Sequence, residues 1–178
     1  MSEESIIEKY DWKSYIGKEL DTRTGEPVSA KDIRHFALAI DDPNPIYYDE
    51  EAAKKSKYGG MVAPPEYVFW ATQSASTEAR AKDLNEDGLV GRGAFLGTPE
   101  LPGMWEKGFV RGWDDWEFYE PVRVGDTVTV RWKITDVYEK EAKSGNLVFI
   151  KTEHDFTNQN GKLLARQRVT TIGMPRKG

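Results

Sequence analysis

The chain has no cysteine, and among its 178 residues it has only two histidines, His35 and His154. Without a thiol it cannot form disulfides or use a cysteine nucleophile, and two imidazoles are too few for an ordinary zinc site. We therefore expect no metal site. The chemistry left to the side chains is that of carboxylates, phenols and backbone dipoles.

Long apolar runs and a basic stripe are also missing. No run approaches the length of a membrane-spanning helix, and the acidic start of the chain lacks the layout of a signal peptide. A net charge of −5 with no basic stripe argues against nucleic acid as a partner. We expect a cytoplasmic protein without a membrane segment, in which residues 1–178 form one domain with a sizeable core.

Residues 40–67 hold the densest group of side chains suited to chemistry. An acid, an amide and a phenol follow one another as Asp42, Asn44 and Tyr47, and two prolines bracket Asn44. The prolines stiffen the backbone and exclude a helix interior, so this loop can hold side chains in fixed positions between two helices. The simpler alternative to a functional site is a proline-rich turn in which an aspartate caps a helix.

Two segments carry a family resemblance: Asp42-x-Asn44-Pro45-Ile46-Tyr47 and Tyr58-Gly59-Gly60-Met61-Val62-Ala63-Pro64-Pro65. They resemble the MaoC-like hydratase/dehydratase family, and more closely the N-terminal half-domain of fatty-acid-synthase-type dehydratases. The resemblance implies an α+β hot-dog fold, in which an antiparallel sheet wraps around a long central helix. It also implies that water is added to or removed from an enoyl or 3-hydroxyacyl thioester. Coenzyme A or acyl carrier protein would belong to that substrate, with no separate cofactor.

The resemblance also assigns roles to residues. The family's Asp and His, five residues apart, match Asp42 and Tyr47, so a phenol stands at the histidine position. An unperturbed tyrosine titrates near pH ~10, which makes it a poor base at neutral pH but a possible proton donor. Pro65 matches a glycine whose N–H faces the thioester oxygen in active members, and proline has no N–H. The residues expected to contact substrate are Asn44, Tyr48, Gly60, Val62, Ala63 and Pro65.

Three functions remain open at this stage. The first is a hydro-lyase acting on acyl thioesters, with Asp42 anchoring the water and Tyr47 donating a proton. The second is a non-catalytic, acyl-binding subunit that pairs with an active homologue. The third is a hot-dog thioesterase, for which Glu66 and Glu78 are the only candidate carboxylates on the central helix. A single hot dog leaves a sheet edge and an apolar face, so each version predicts a homodimer or a heterodimer with another hot-dog subunit.

Local patterns predict the helices. Ser29 and Asp49 are expected to cap two helices, and Pro64 with Pro65 opens the longest candidate, predicted to be buried on most sides. Residues 85–107 are rich in glycine and proline, which predicts a long loop insertion whose apolar residues either cover an acyl pocket or a partner surface, or pack on the core. A small basic cluster follows the second helix and suits either coenzyme A phosphates or a solvated face: Lys54, Lys55 and Lys57.

The second half of the chain reads as antiparallel sheet. Val128, Val130, Trp132 and Ile134 alternate with polar residues, and residues 158–161 give a strong hairpin signal. His154 shares a strand face with apolar neighbours and is expected to be packed in the sheet, with a role as catalytic base the less favoured alternative. His35 falls off the apolar stripe of its helix and is expected to be solvated.

Overall fold

The computed structural model describes residues 5–73, 101–106, 108–143 and 145–174. The helices are α1 (Ile6–Lys9), α2 (Ala30–Ala39), α3 (Glu50–Lys55) and α4 (Tyr67–Ala71). Short 3₁₀ turns lie at Trp12–Tyr15, Pro45–Tyr47 and Met104–Glu106. The strands are β1 (Glu19–Thr24), β2 (Gly108–Phe118), β3 (Thr129–Lys140), β4 (Leu147–Thr157) and β5 (Leu163–Met174).

The strands form one antiparallel sheet in the order β1-β3-β4-β5-β2, so β1 and β2 are its edges. The predicted turn between β4 and β5 is confirmed: the Asn158 N–H donates to the Lys162 carbonyl at 3.0 Å. Gly161 closes this turn at a φ of 75°, which glycine adopts without steric cost.

Alternation of side chains gives the sheet one buried and one charged face. Val128, Val130, Trp132 and Ile134 are all buried, as their spacing predicts. The opposite face carries ion pairs between neighbouring strands, such as the bidentate pair of Arg166 with Asp155. The sheet therefore needs a cover on one side only, and the helices supply it.

The apolar interior has two parts. The larger cluster packs α2, the loop before α4 and α4 itself against β3, β4 and β5. The smaller one joins Ile6, Ile7 and Trp12 of the N-terminal segment to Leu101 and Met104. Of the two alternatives for the apolar residues of the 85–107 loop, Leu101 and Met104 thus follow the core-packing one.

The predicted central helix begins where Pro64 and Pro65 place it. Tyr67, Val68 and Ala71 are buried, but Trp70 is 53% exposed, so the prediction that this helix is buried on most sides was wrong for that side chain. Within the described residues this helix ends at Ala71 and is shorter than α2, although it was predicted to be the longest, and Thr72 and Gln73 form a turn. Glu78 and residues 85–100 of the predicted loop lie outside the described residues. Within the described part of that loop, Met104–Glu106 form a 3₁₀ turn, although no regular element was predicted there.

Among the residues that the structure describes, no helix is long and apolar enough to cross a bilayer.

Candidate functional site

The loop that follows α2 is held by its own side chains. Asp41 has a φ of 55°, a left-handed conformation that turns the chain away from the helix. The Asp42 carboxylate accepts the Asn44 N–H at 3.0 Å, and the Asn44 side-chain oxygen accepts the Ile46 N–H at 3.2 Å. The Tyr48 hydroxyl donates to the Asp42 carbonyl at 2.8 Å. Three of the predicted site residues thus fix the backbone of this loop.

Tyr47 points from the loop into the interior. Its side chain is 7% exposed and packs in the larger apolar cluster. Burial raises the pKa of the Tyr47 phenol, and the negative charge of Asp42 raises it further. The phenol therefore keeps its proton at neutral pH, so it can donate a hydrogen bond or a proton but cannot take one from water.

Beside Tyr47 lies a cavity of about 280 Å³, called here the loop pocket. Three parts of the chain form its walls: the segment 46–68, the end of β2 with the turn after it, and the start of β5. The lining residues are Ile46, Tyr47, Lys57, Tyr58, Val62, Ala63, Pro65, Val68, Phe118, Tyr119, Glu120, Pro121, Val122, Leu164 and Ala165.

The structure divides the predicted site residues into two groups. Tyr47, Val62, Ala63 and Pro65 line the loop pocket together. The lining does not include Asp42, Asn44, Tyr48 or Gly60; the first three form the hydrogen bonds that shape the loop.

The second wall of the loop pocket was missed from sequence. Phe118 to Val122 reach the pocket because the Ala63 N–H donates to the Val122 carbonyl at 2.9 Å, and because Val62 and Arg123 form an antiparallel bridge. Leu164 and Ala165 join them from β5, where Phe118 pairs with Ala165. Only the pairing of distant strands brings these residues together, so no local signal in the chain could have found them.

Neither histidine reaches the loop pocket. His154 is 1% exposed in β4, where its ring nitrogens lie 2.9 Å from Thr152 Oγ1 and 2.9 Å from Gln167 Oε1. His35 is exposed on α2. The predictions of a packed His154 and a solvated His35 are both confirmed.

Among the described residues, no unpaired carboxylate lines the loop pocket. Glu120 lines the loop pocket, but its Oε1 lies 2.7 Å from the Lys162 ammonium. Glu66, the thioesterase candidate within the described residues, is exposed at the start of α4 and does not line the pocket. In the described part of the chain, no three His, Asp or Glu residues lie close enough to hold a metal ion. The loop pocket thus offers apolar walls, phenols and one lysine.

Comparisons with known proteins agree with this geometry. Residues 14–167 match the family model described as the FAS1-like, dehydratase domain region. A UPF0336 protein of Streptomyces avermitilis is 31% identical over 160 residues, which cover 86% of this chain and 94% of that protein. A probable enoyl-CoA hydratase alpha subunit of Thermomonospora curvata is 29% identical over 163 residues, covering 88% of this chain and 48% of that longer protein.

A solved structure shares the fold. The ChsH1-ChsH2 complex of Mycobacterium tuberculosis contains a chain that superposes with a TM-score of 0.71 at 20% identity, covering 97% of this chain and 93% of that one. The antiparallel sheet packed against α4 and this likeness confirm the predicted α+β hot-dog architecture.

Proposed function

The chain belongs to the FAS1-like dehydratase family, and we propose that it is the acyl-binding subunit of a hydratase/dehydratase acting on enoyl or 3-hydroxyacyl thioesters. In this proposal residues 1–178 act as one hot-dog domain, and a second hot-dog subunit supplies the base that activates water.

The observation that carries the proposal is the buried phenol of Tyr47 at the position of the family's histidine. Water must lose a proton to attack an enoyl thioester, and a general base works best when its pKa lies near the operating pH. The pKa of Tyr47 is instead raised by burial, and within the described residues no histidine lines the loop pocket. Loss of a general base costs about a hundredfold or more in rate.

Pro65 weakens catalysis by the chain alone in a second way. It lines the loop pocket at the start of α4, where active members of the resembled family offer an N–H to the thioester oxygen. Proline has no such donor. Removal of one oxyanion donor typically costs about a hundredfold or more in rate.

The loop pocket still suits an acyl group. Its apolar walls include Val62, Val68, Phe118 and Leu164, and burying apolar surface favours binding by about 25 cal/mol per Å². The protonated Tyr47 hydroxyl can donate a hydrogen bond to the thioester. In this proposal Asp42 is a positioning residue, because its carboxylate holds the Asn44 N–H in the loop that carries Tyr47.

The position of the pocket favours a partner at the β2 edge. Phe118 ends β2, which is an edge strand, and it lines the loop pocket while remaining 45% exposed. A subunit that pairs with this edge would place its own residues beside the pocket. The name of the T. curvata relative, an alpha subunit, and the two-component M. tuberculosis complex support a partnership of this kind.

Hydration of trans-2-enoyl-CoA thioesters, followed by loss of the enoyl absorbance, tests the proposal. The purified chain alone should give no turnover, and Tyr47→His should give measurable turnover because it places an imidazole in the loop pocket. Tyr47→Phe is the matched control and should stay inactive.

Turnover by the unchanged chain alone, abolished in Asp42→Asn, would instead establish a self-sufficient hydratase. Release of free coenzyme A without a hydration product would point to the thioesterase alternative.

A further inference from the structure

Two cations contact Tyr58, which lines the loop pocket, one at its backbone carbonyl and the other over its ring. The Arg123 guanidinium donates from Nη1 to the Tyr58 carbonyl at 2.8 Å, across a separation of 65 residues. The Lys57 ammonium lies 5.0 Å from the centroid of the Tyr58 ring, and Lys57 itself lines the pocket. We call Lys57 and Arg123 the rim cations.

The fold holds Arg123 in place. Its backbone N–H donates to the Asp126 carboxylate at 2.8 Å, and the bridge between Val62 and Arg123 fixes the turn against the wall of the pocket. Both rim cations nevertheless expose their side chains to solvent. A built position with an accessible charge is what a binding residue requires.

No carboxylate neutralises the rim cations. Neither Lys57 nor Arg123 has an ion-pair partner in the described part of the chain, whereas Lys54, from the same basic run, lies 3.0 Å from Glu51. Glu120, the acidic residue of the pocket, is paired with Lys162. The rim is therefore a positive spot on a protein whose net charge is −5. Arginine binds phosphate as a planar fork and lysine as a point charge, so the pair suits phosphoryl groups.

We propose that the rim cations bind the phosphoryl groups of the acyl carrier, with its pantetheine arm entering the loop pocket between them and Tyr47. This inference rests on the proposed acyl-binding function and adds the recognition of the carrier. The chemistry is shared by coenzyme A and by the phosphopantetheine arm of acyl carrier protein.

Calorimetric titration of the purified chain tests the inference without any need for turnover. The probes are hexanoyl-coenzyme A, S-hexanoyl-4′-phosphopantetheine and S-hexanoyl-pantetheine, which carry the same acyl group and differ in their phosphates. Hexanoyl-coenzyme A should bind about tenfold more tightly than the pantetheine thioester, since a hydrogen bond to a charged group contributes roughly that factor.

Variants test whether the rim cations cause the tighter binding of hexanoyl-coenzyme A. Lys57→Glu should weaken hexanoyl-coenzyme A binding about tenfold and leave the pantetheine thioester unchanged. Lys54→Glu is the matched control and should change neither. Arg123→Lys keeps the charge without the planar fork and should retain only part of the affinity that Arg123 adds for hexanoyl-coenzyme A, while Arg123→Met should lose all of it. Melting temperatures show whether each variant is folded.

The outcomes separate this inference from the proposed function. Equal binding of all three probes would overturn the rim assignment and leave the acyl-binding function standing, as would equal losses in Lys57→Glu and Lys54→Glu. No binding of any probe would overturn both. If the phosphopantetheine thioester binds as tightly as hexanoyl-coenzyme A, the contact is to the phosphate that both carriers share; a preference for coenzyme A assigns it to the nucleotide phosphates.

Discussion

Tyr47 is the residue on which the chemistry of the loop pocket depends. Burial raises the pKa of its phenol, and the nearby charge of Asp42 adds to the effect, so the midpoint of its ionisation should lie above the ordinary value of 10.0. A spectrophotometric titration of the unchanged chain against Tyr47→Phe isolates this group. The tyrosinate absorbance missing from the variant should reach half of its full change above pH 10.0, and a midpoint at or below that pH would contradict the burial described here.

Tyr67 links a single proton to the stability of the whole fold. Burial raises its pKa to about 12, with a smaller contribution from the charge of Asp32. Because the folded-state pKa lies above the unfolded value of 10.0, this group leaves stability intact below pH 10.0 and lowers it as the pH rises toward about 12.

Tyr67→Phe removes that titration. Its urea midpoint should fall less than that of the unchanged chain between neutral pH and about pH 11. Equal falls in the two proteins would show that Tyr67 is not the group responsible.

Sequence singles out the residues of the loop after α2 but does not predict their protonation state. The loop motif identified Asp42, Asn44 and Tyr47, and the geometry shows the first two fixing the loop and the third lining a pocket. The raised pKa of Tyr47 could not be predicted, because it arises from burial by segments that are distant in the chain.

Helix α2 begins with a reciprocal cap. Asp32 N–H donates to Ser29 Oγ at 3.2 Å, and the Ser29 N–H donates back to the Asp32 carboxylate at 2.9 Å. Ser29→Ala should lower the free energy of unfolding at neutral pH by about 1 kcal/mol. The hydrogen bond from Ser29 lowers the pKa of Asp32 below its ordinary value of 3.8. The ionised carboxylate therefore stabilises the fold fully above pH 3.8, and this stabilisation is lost as the pH falls through the lowered pKa.

The loss in free energy of unfolding caused by Ser29→Ala should therefore be smaller at acidic pH than at neutral pH. Urea unfolding at neutral pH and at about pH 3 measures it. A cost that is the same at both pH values would contradict the part assigned to the Asp32 carboxylate.

The contact between the end of β1 and α4 also positions the pocket. A Cβ added to Gly25 would lie 1.8 Å from the carbonyl oxygen of Ala71, so only glycine lets the helix end approach this closely. Gly25→Ala should destabilise the protein by about 3 kcal/mol, measured as the loss in free energy of unfolding. Gly60→Ala is the control, because nothing lies within 4 Å of its added Cβ, and it should cost much less.

At the scale of elements, periodicity predicted β3 to β5 because one face of each is buried in alternation. Periodicity gives no comparable signal in the N-terminal segment, although Ile6, Ile7 and Trp12 are all buried there. Their burial depends on Leu101 and Met104, and Trp12 Nε1 donates to the Pro102 carbonyl at 2.9 Å. Three apolar residues in a polar segment give no periodic signal of such a distant partner.

The molecule as a whole presents an apolar edge. Val110, Trp113 and Phe118 are each more than two-fifths exposed on β2, whose outer edge has no partner strand among the described residues, and such an edge favours pairing with another sheet. We predict that, when no other hot-dog subunit is present, two copies of the chain pair through β2, so that sedimentation shows a species larger than the 20.2 kDa of one chain.

Trp113→Glu should shift that species toward the monomer, because it places a charge in the apolar interface. Thr22→Lys on β1, the opposite edge of the sheet, is the control and should leave the mass unchanged. A monomer for the unchanged chain at micromolar concentration, or an equal shift with both variants, would contradict pairing through β2.

The complete loop pocket belongs to this scale as well. One wall was predictable, because residues 44–65 are close in sequence and carry the family motif. The opposite wall depends on the register of β2 with β5 and on the hydrogen bond from the Ala63 N–H to the Val122 carbonyl. Both form only when distant segments pair in the folded sheet. A turn fixes the register of two strands in a hairpin, but no turn joins β2 to β5, so no local pattern in the sequence marks their register.

The buried phenol at position 47 has a consequence in the gene. Codons for tyrosine and histidine differ only in their first base, so one transition exchanges the two side chains. The tyrosine at position 47 is therefore not retained because histidine is hard to reach by mutation. In cells whose growth requires hydration by this chain, Tyr47→His would arise by a single base change. The frequency of such mutants among the surviving cells would show whether one imidazole is enough for activity.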